Sequence, residues 1–78
     1  MYITALQLYN KISEYDNLVS KEDISKAYNI SKKAHANQYR GSGEEYFTHP
    51  LAVADYLINM KLDSSTIITA LLHDVVED

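Results

Sequence analysis

Cysteine and tryptophan are absent from this 78-residue chain, proline occurs once and glycine twice. Without cysteine there is no disulfide framework and no thiolate chemistry. With so little proline and glycine, no stretch has the composition of a linker or a low-complexity segment. Basic runs are also missing, and the net charge is −4, from 7 basic and 11 acidic residues. So mildly acidic a chain is not built for nucleic acid or an anionic membrane, and neither is expected as a partner. Met1-Tyr2-Ile3-Thr4 has no basic region followed by an apolar run, so no signal peptide is read there. The longest apolar run falls far short of the roughly 20 residues that span a bilayer, and the cytoplasm is the expected location. What remains is ordinary globular composition, 46% hydrophobic and 23% charged, with seven tyrosines and one phenylalanine. A chain this short hides only about 60% of its unfolded surface. One domain or part of one is expected, of modest stability and inclined to self-associate.

Apolar periodicity predicts four helices. Tyr2, Leu6, Tyr9 and Ile12 mark the first, over 2–15, ended by Asp16-Asn17. Ser20 caps the second, with Asp23 three residues on. It runs from about Lys21 to His35, with Ile24, Ala27, Tyr28, Ser31, Ala34 and His35 inward. Both glycines fall in a loop, Asn37 to Glu45, where unusual backbone angles are expected. Thr48 is a candidate cap for a third helix with Pro50 in its first turn, running to about Met60. Leu51, Val53, Ala54, Leu57, Ile58 and Met60 leave it little polar face, so it is expected to be largely buried. Lys61-Leu62 makes a tight connection, and Asp63 caps the fourth helix. Ile67, Ile68, Ala70, Leu71, Leu72, Val75 and Val76 are apolar nearly all round, as in a central helix. No strand pattern or repeat is present. The fold class expected is all-α, four helices with short connections.

The chemistry concentrates in the last six residues, His73-Asp74-Val75-Val76-Glu77-Asp78. A carboxylate on so apolar a helix is costly to bury unless something pairs with it. A divalent metal solves that problem, and an imidazole nitrogen with a carboxylate oxygen suits Mn, Fe, Zn or Ni better than Ca. Consecutive helical residues point about 100° apart, so His73 and Asp74 share an ion only at the helix edge. A further ligand must come from another element, and His49 at the start of the third helix is the natural donor. Glu77 and Asp78, one turn on, are placed to accept a proton from an activated water. The plainer reading makes these acids a solvated helix end and His49 an ordinary first-turn residue. Acids at a helix C-terminus oppose the macrodipole, which weighs slightly against it. His35, on the apolar side of the second helix, and Gln38 read as structural. Arg40 is either a surface charge or a phosphate clamp, its planar fork suiting phosphate.

Two segments carry a resemblance. A-H-A-N-Q-Y-R-G-S-G-E-E-Y-F-T-H-P-L-A-V-A over 34–54 and L-L-H-D-V-V-E-D over 71–78 resemble, in order and spacing, the N-terminal part of the His-Asp hydrolase domain of RelA/SpoT homologues. These are the bifunctional guanosine tetraphosphate synthetase/hydrolases of the stringent response. The resemblance covers about residues 20–78, with 1–19 similar in helical character alone. It implies a four-helix fragment of an HD-type phosphohydrolase domain. His49, His73 and Asp74 match three of the four ligands of a metal, usually manganese. Glu77 and Asp78 match the acidic pair that activates or orients the water. Arg40 and Ser42 match loop residues that contact the nucleotide. The implied reaction removes the 3′-pyrophosphate of guanosine tetra- or pentaphosphate, giving GDP or GTP and pyrophosphate.

The chain also departs from that pattern. The fourth ligand, an aspartate on a later helix, and the helices that close the pocket fall beyond position 78. Gly41 stands where relatives often carry lysine, and Glu45 where they carry proline. The expectation is therefore a truncated hydrolase domain over 1–78, with weak or no activity alone and a face on helices three and four that pairs with another copy. The alternative is a helical dimerisation or regulatory fragment that kept the fold and lost catalysis.

Overall fold

A computed structural model describes residues 2–75 of the chain. Four helices follow one another, α1 (Ala5–Ser13), α2 (Lys21–Ala34), α3 (Thr48–Asn59) and α4 (Ser64–Leu72). Among the described residues there is no strand, only an isolated antiparallel bridge between Tyr39 and Glu45. The all-α expectation holds, and the core gathers Leu8, Ile12, Ile24, Phe47, Leu51, Ile67 and Leu71 between the four helices.

Helix α1 is shorter than the 2–15 pattern. Thr4 Oγ1 accepts the Gln7 N–H and Gln7 Oε1 accepts the Thr4 N–H, a reciprocal capping box that starts the helix at Ala5. Tyr2 and Ile3 precede the cap and pack against the core from outside the helix. The Tyr2 ring meets Phe47 edge-on with centroids 5.1 Å apart. Ile3 offers its carbonyl to the Tyr28 hydroxyl at 2.7 Å. Helix α2 begins as expected, with Ser20 Oγ accepting the Asp23 N–H at 3.2 Å. Ile24, Ala27, Tyr28, Ser31 and His35 are buried, but Ala34 is exposed.

Thr48 does not cap α3. It is the first helical residue, and its hydroxyl donates to the Glu45 carbonyl at 2.8 Å. The cap position belongs to Phe47, which makes no capping bond and is 2% exposed. Phe47 lies edge-on to both Tyr2 and Tyr28, the latter with centroids 5.2 Å apart. Edge-to-face rings contribute beyond their buried area, so the start of α3 is fixed by packing instead of by a cap.

Helices α3 and α4 are less enclosed than their composition suggests. Pro50, Leu51, Ala54 and Ile58 are buried on α3, and Ile67, Ala70 and Leu71 on α4. Tyr56 and Met60 are open to solvent. Four short helices cover one side of each other, so apolar residues outside the buried stripe stay at the surface. Helix α4 also stops at Leu72, earlier than its apolar run predicts. His73 is its C-cap, and a turn follows in which the Val75 N–H donates to the Leu72 carbonyl at 3.0 Å.

The α3–α4 connection has a defined chemistry. Leu62 N–H donates to the Leu57 carbonyl at 3.2 Å and Lys61 N–H to the Ile58 carbonyl at 2.8 Å. This pair of bonds is a Schellman motif, which needs a left-handed residue after the cap. Lys61 supplies it at φ 60°, a conformation that glycine adopts more easily. Asp63 then caps α4, accepting the Thr66 N–H at 3.2 Å. Asp16 Oδ2 ties the same turn to the α1–α2 connection by accepting the Ser64 N–H at 3.2 Å.

Two stability measurements follow. Lys61→Gly should raise stability by about 0.5–1 kcal/mol in urea unfolding, since it relieves left-handed strain; a loss would mean the lysine side chain contributes more than its backbone costs. Hydrogen bonds from the Thr66 hydroxyl and then the Thr66 N–H hold the Asp63 carboxyl below the usual aspartate range. A depressed folded-state pKa gives stability that is complete above the unfolded value of about 3.9 and is lost as pH falls through the depressed value. The difference in urea midpoint between the wild type and Asp63→Ala should therefore be largest at neutral pH and shrink below about pH 4. A difference independent of pH would contradict an ionised cap.

Candidate metal centre

The loop after α2 folds back on itself before α3 begins. The Arg40 N–H donates to the Glu44 carbonyl at 2.8 Å, the Gly43 N–H to the Arg40 carbonyl at 2.8 Å and the Tyr46 N–H to the Gln38 carbonyl at 2.8 Å. Gly43 needs its freedom, with φ 91°, whereas Gly41 has no such requirement and open space around it. Asn37 is the other left-handed residue here, at φ 66°. The loop is a compact hairpin that delivers Tyr46, then Phe47 into the core, then His49 on the first turn of α3. The His49 N–H donates to the Tyr46 carbonyl at 2.9 Å, so these two residues share one turn.

At the other end of the α3–α4 hairpin, His73 and Asp74 meet them. His49, His73 and Asp74 each offer a ligand atom, and these atoms all lie within 4.8 Å of one another. His73 Nε2 is 3.2 Å from Asp74 Oδ1, and His49 Nε2 is 4.0 Å from Asp74 Oδ2. The two imidazole centroids are 6.0 Å apart. The site is shallow: the His73 side chain is 42% exposed, His49 34% and Asp74 17%.

The protonation of His73 follows from its partner. Nδ1 lies 2.7 Å from the Ala70 carbonyl oxygen, which can only accept, so Nδ1 carries the proton. Nε2 of the neutral ring then turns a lone pair toward a carboxylate oxygen 3.2 Å away. Two electron-rich atoms that close call for a cation, either a proton on Nε2 or a metal between them. A backbone carbonyl on the far nitrogen is also how metal-binding histidines are commonly oriented. These donors fit a divalent transition metal.

Asp74 is held from behind by a residue the sequence reading did not single out. The Tyr46 hydroxyl donates to Asp74 Oδ2 at 2.6 Å. That bond is the main reason the Asp74 carboxyl sits below the ordinary aspartate range; partial burial works against it, and the nearby imidazoles of His73, His49 and His35 assist. The Tyr46 ring lies between two histidines, 4.8 Å from His35 and 5.7 Å from His49. His35 is 3% exposed, and its Nδ1 is 3.0 Å from Gln38 Oε1. The structural reading of His35 and Gln38 fits this placement. The signal available for Tyr46 was its position three residues before His49.

The remaining predicted residues stand apart. Arg40 and Ser42 are exposed on the hairpin. Ser42 Oγ donates to Glu44 Oε1 at 3.3 Å. Among the described residues no ion pair or hydrogen bond engages the Arg40 guanidinium, and none joins Arg40 or Ser42 to the His–Asp trio. Glu77 and Asp78 lie outside the described residues.

The family model for the HD domain matches residues 27–78, which takes in the hairpin loop and all three converging residues. The chain belongs to the HD domain family. HD domains are metal-dependent, as the trio's donor chemistry suggests. Among its relatives, the bifunctional (p)ppGpp synthase/hydrolase RelA of Mycobacterium tuberculosis is 43% identical over 70 residues, 86% of this chain and 10% of RelA. The bifunctional (p)ppGpp synthase/hydrolase SpoT of Escherichia coli is 54% identical over 55 residues, 70% of this chain and 8% of SpoT. The GTP pyrophosphokinase rsh of Brucella ovis is 43% identical over 72 residues, 92% of this chain and 10% of that protein. The chain thus spans about a tenth of the length of these relatives. No described helix is long and apolar enough to cross a membrane.

Metal binding to this HD domain should depend on pH. An imidazole binds metal only when unprotonated, and free histidine side chains titrate near pH ~6.5. Mn2+ affinity measured by calorimetry should fall steeply between about pH 7.5 and 5.5. Affinity that stays flat over that range would exclude the histidines as ligands.

Proposed function

We propose that this HD domain carries the metal-binding core of a 3′-pyrophosphohydrolase acting on guanosine tetra- and pentaphosphate, with GDP or GTP and pyrophosphate as products. The observation that supports this most is the convergence of His49, His73 and Asp74 within 4.8 Å. A relative at 54% identity bears the name guanosine-3′,5′-bis(diphosphate) 3′-pyrophosphohydrolase, which points to the substrate.

In this reading His49, His73 and Asp74 hold the ion, which is Mn2+. When bound, the ion supplies Lewis-acid stabilisation of phosphoryl charge and lowers the pKa of a nearby water. The residues do the rest. Asp74, kept ionised by Tyr46, neutralises part of the cation's charge. Glu77 and Asp78 follow Asp74 closely in sequence and accept the proton from the attacking water. Arg40, exposed on the hairpin and without an ion-pair partner among the described residues, takes a phosphate of the nucleotide through its planar fork. Ser42, on the same hairpin, adds a hydroxyl contact. Hydrolysis of guanosine tetraphosphate with Mn2+ added tests the proposal. Turnover by the wild-type chain should be weak at most, and whatever is measured should be reduced at least ~100-fold in His73→Ala, more than the loss of an outer-shell partner costs. No turnover at any metal concentration would reject the activity.

A second reading has its own observation. Tyr56 and Met60 are 64% and 54% exposed, and their spacing of one helical turn makes a common apolar face on α3. Such a face suits self-association, with or without catalysis. Light scattering should then find dimers that Tyr56→Lys converts to monomers; a wild-type monomer at high concentration would dismiss it.

A further inference from the structure

We infer that Tyr46 is the positioning residue of this centre, donating its hydroxyl to Asp74 Oδ2 at 2.6 Å and so holding Oδ1 toward His73 Nε2. The inference rests on the metal-centre reading above and assigns a role to a residue outside the ligand set.

The geometry of Tyr46 leaves little freedom. Its N–H is bound to the Gln38 carbonyl at 2.8 Å, and its carbonyl accepts the His49 N–H at 2.9 Å. Its neighbour Phe47 is locked in the core by two edge-on ring contacts. The phenol ring itself is flanked by His35 and His49. His35 is in turn fixed. Gln38 Nε2 donates to the Ala34 carbonyl at 3.3 Å, so the Gln38 amide turns its oxygen to His35, and His35 Nδ1 is the donor in that 3.0 Å bond. His35 Nε2 is buried without a hydrogen-bond partner, and the ring packs against Tyr46 with centroids 4.8 Å apart. A train of contacts therefore runs from Gln38 through His35 to Tyr46 and ends on Asp74.

The chemistry explains why a tyrosine stands here. A carboxylate can only accept, so the residue behind it must donate. A neutral phenol does so without bringing a charge that would compete with a cation. An O–H···O− bond of about 2.5–2.7 Å is the short, charge-assisted kind. It fixes the rotation of the Asp74 carboxylate before any ion arrives, so less ordering is left for the binding step. Partners of this kind behind a ligand typically change metal affinity about 10–100-fold.

Calorimetry with Mn2+ and the visible spectrum with Co2+ test this on the whole chain. Tyr46→Phe keeps the ring and removes only the donor. It should weaken Mn2+ binding on the order of 10-fold and shift the Co2+ bands. Ile12→Val, a core substitution remote from the site, serves as the control for a general loss of stability and should leave both readouts unchanged. On an Asp74→Ala background, Tyr46→Phe should have no further effect, because the hydroxyl acts through that carboxylate. If Tyr46→Phe does not fold by circular dichroism, Tyr46→Trp, which restores a ring and a differently placed donor, should fold and show the weakened binding. Equal Mn2+ affinity in the wild type and a folded Tyr46 variant would overturn the inference while leaving the metal centre intact. No binding by the wild type would overturn the centre and the inference together.

Discussion

An antiparallel hairpin with arms of matched length is the constraint on which this structure depends. Counting from His49, the chain climbs α3 to Asn59, turns through the Schellman motif at Lys61, and descends α4 from Ser64 to Leu72 and its cap His73. The two arms differ by a single residue, about 1.5 Å of helix. A residue on the first turn of α3 must therefore face whatever ends α4. Asp63 capping α4 and Asp16 holding the Ser64 N–H keep the turn from sliding. The core stripe of Leu51, Ala54, Ile58, Ile67 and Leu71 sets which faces meet. Lengthening either arm would carry His49 past its partners.

What the hairpin assembles is electrically unbalanced. Two imidazoles and a carboxylate converge, and the hydrogen bond from His73 Nδ1 to Ala70 aims the free lone pair of Nε2 inward. Tyr46 offsets part of that imbalance at one oxygen of Asp74, and the remainder is what a cation would relieve. The fixed hairpin carrying Arg40 and Ser42 rises from the same stretch of chain as Tyr46 and His49. Loop and ligands are thus one continuous element, anchored by Phe47.

Much of this was legible in the residues. The four helices, the caps at Ser20 and Asp63, and the candidate trio of His49, His73 and Asp74 could be read from periodicity, cap chemistry and donor types. Other features could not, for physical reasons. Thr48 looked like a cap because its hydroxyl can bond backbone, but it bonds backward to Glu45, and ring packing of Phe47 starts the helix. Tyr2 and Ile3 fit a helical face yet precede the capping box of Thr4 and Gln7. Lys61 in a left-handed conformation is invisible to residue preference, since packing of α4 on α3 overrides it. The end of α4 at Leu72 was hidden by the apolar pair Val75-Val76. Sequence alone gives Tyr46 no role among seven tyrosines, and only the fold shows which one reaches Asp74.

The central claim is that the open ends of α3 and α4 hold one common ion. Anomalous diffraction from crystals grown with Mn2+, recorded on either side of the manganese edge, tests it most directly. The account predicts a single strong peak at bonding distance, about 2.0–2.3 Å, from His49, His73 and Asp74 together. A peak bound to other residues, or none at saturating Mn2+, would contradict it.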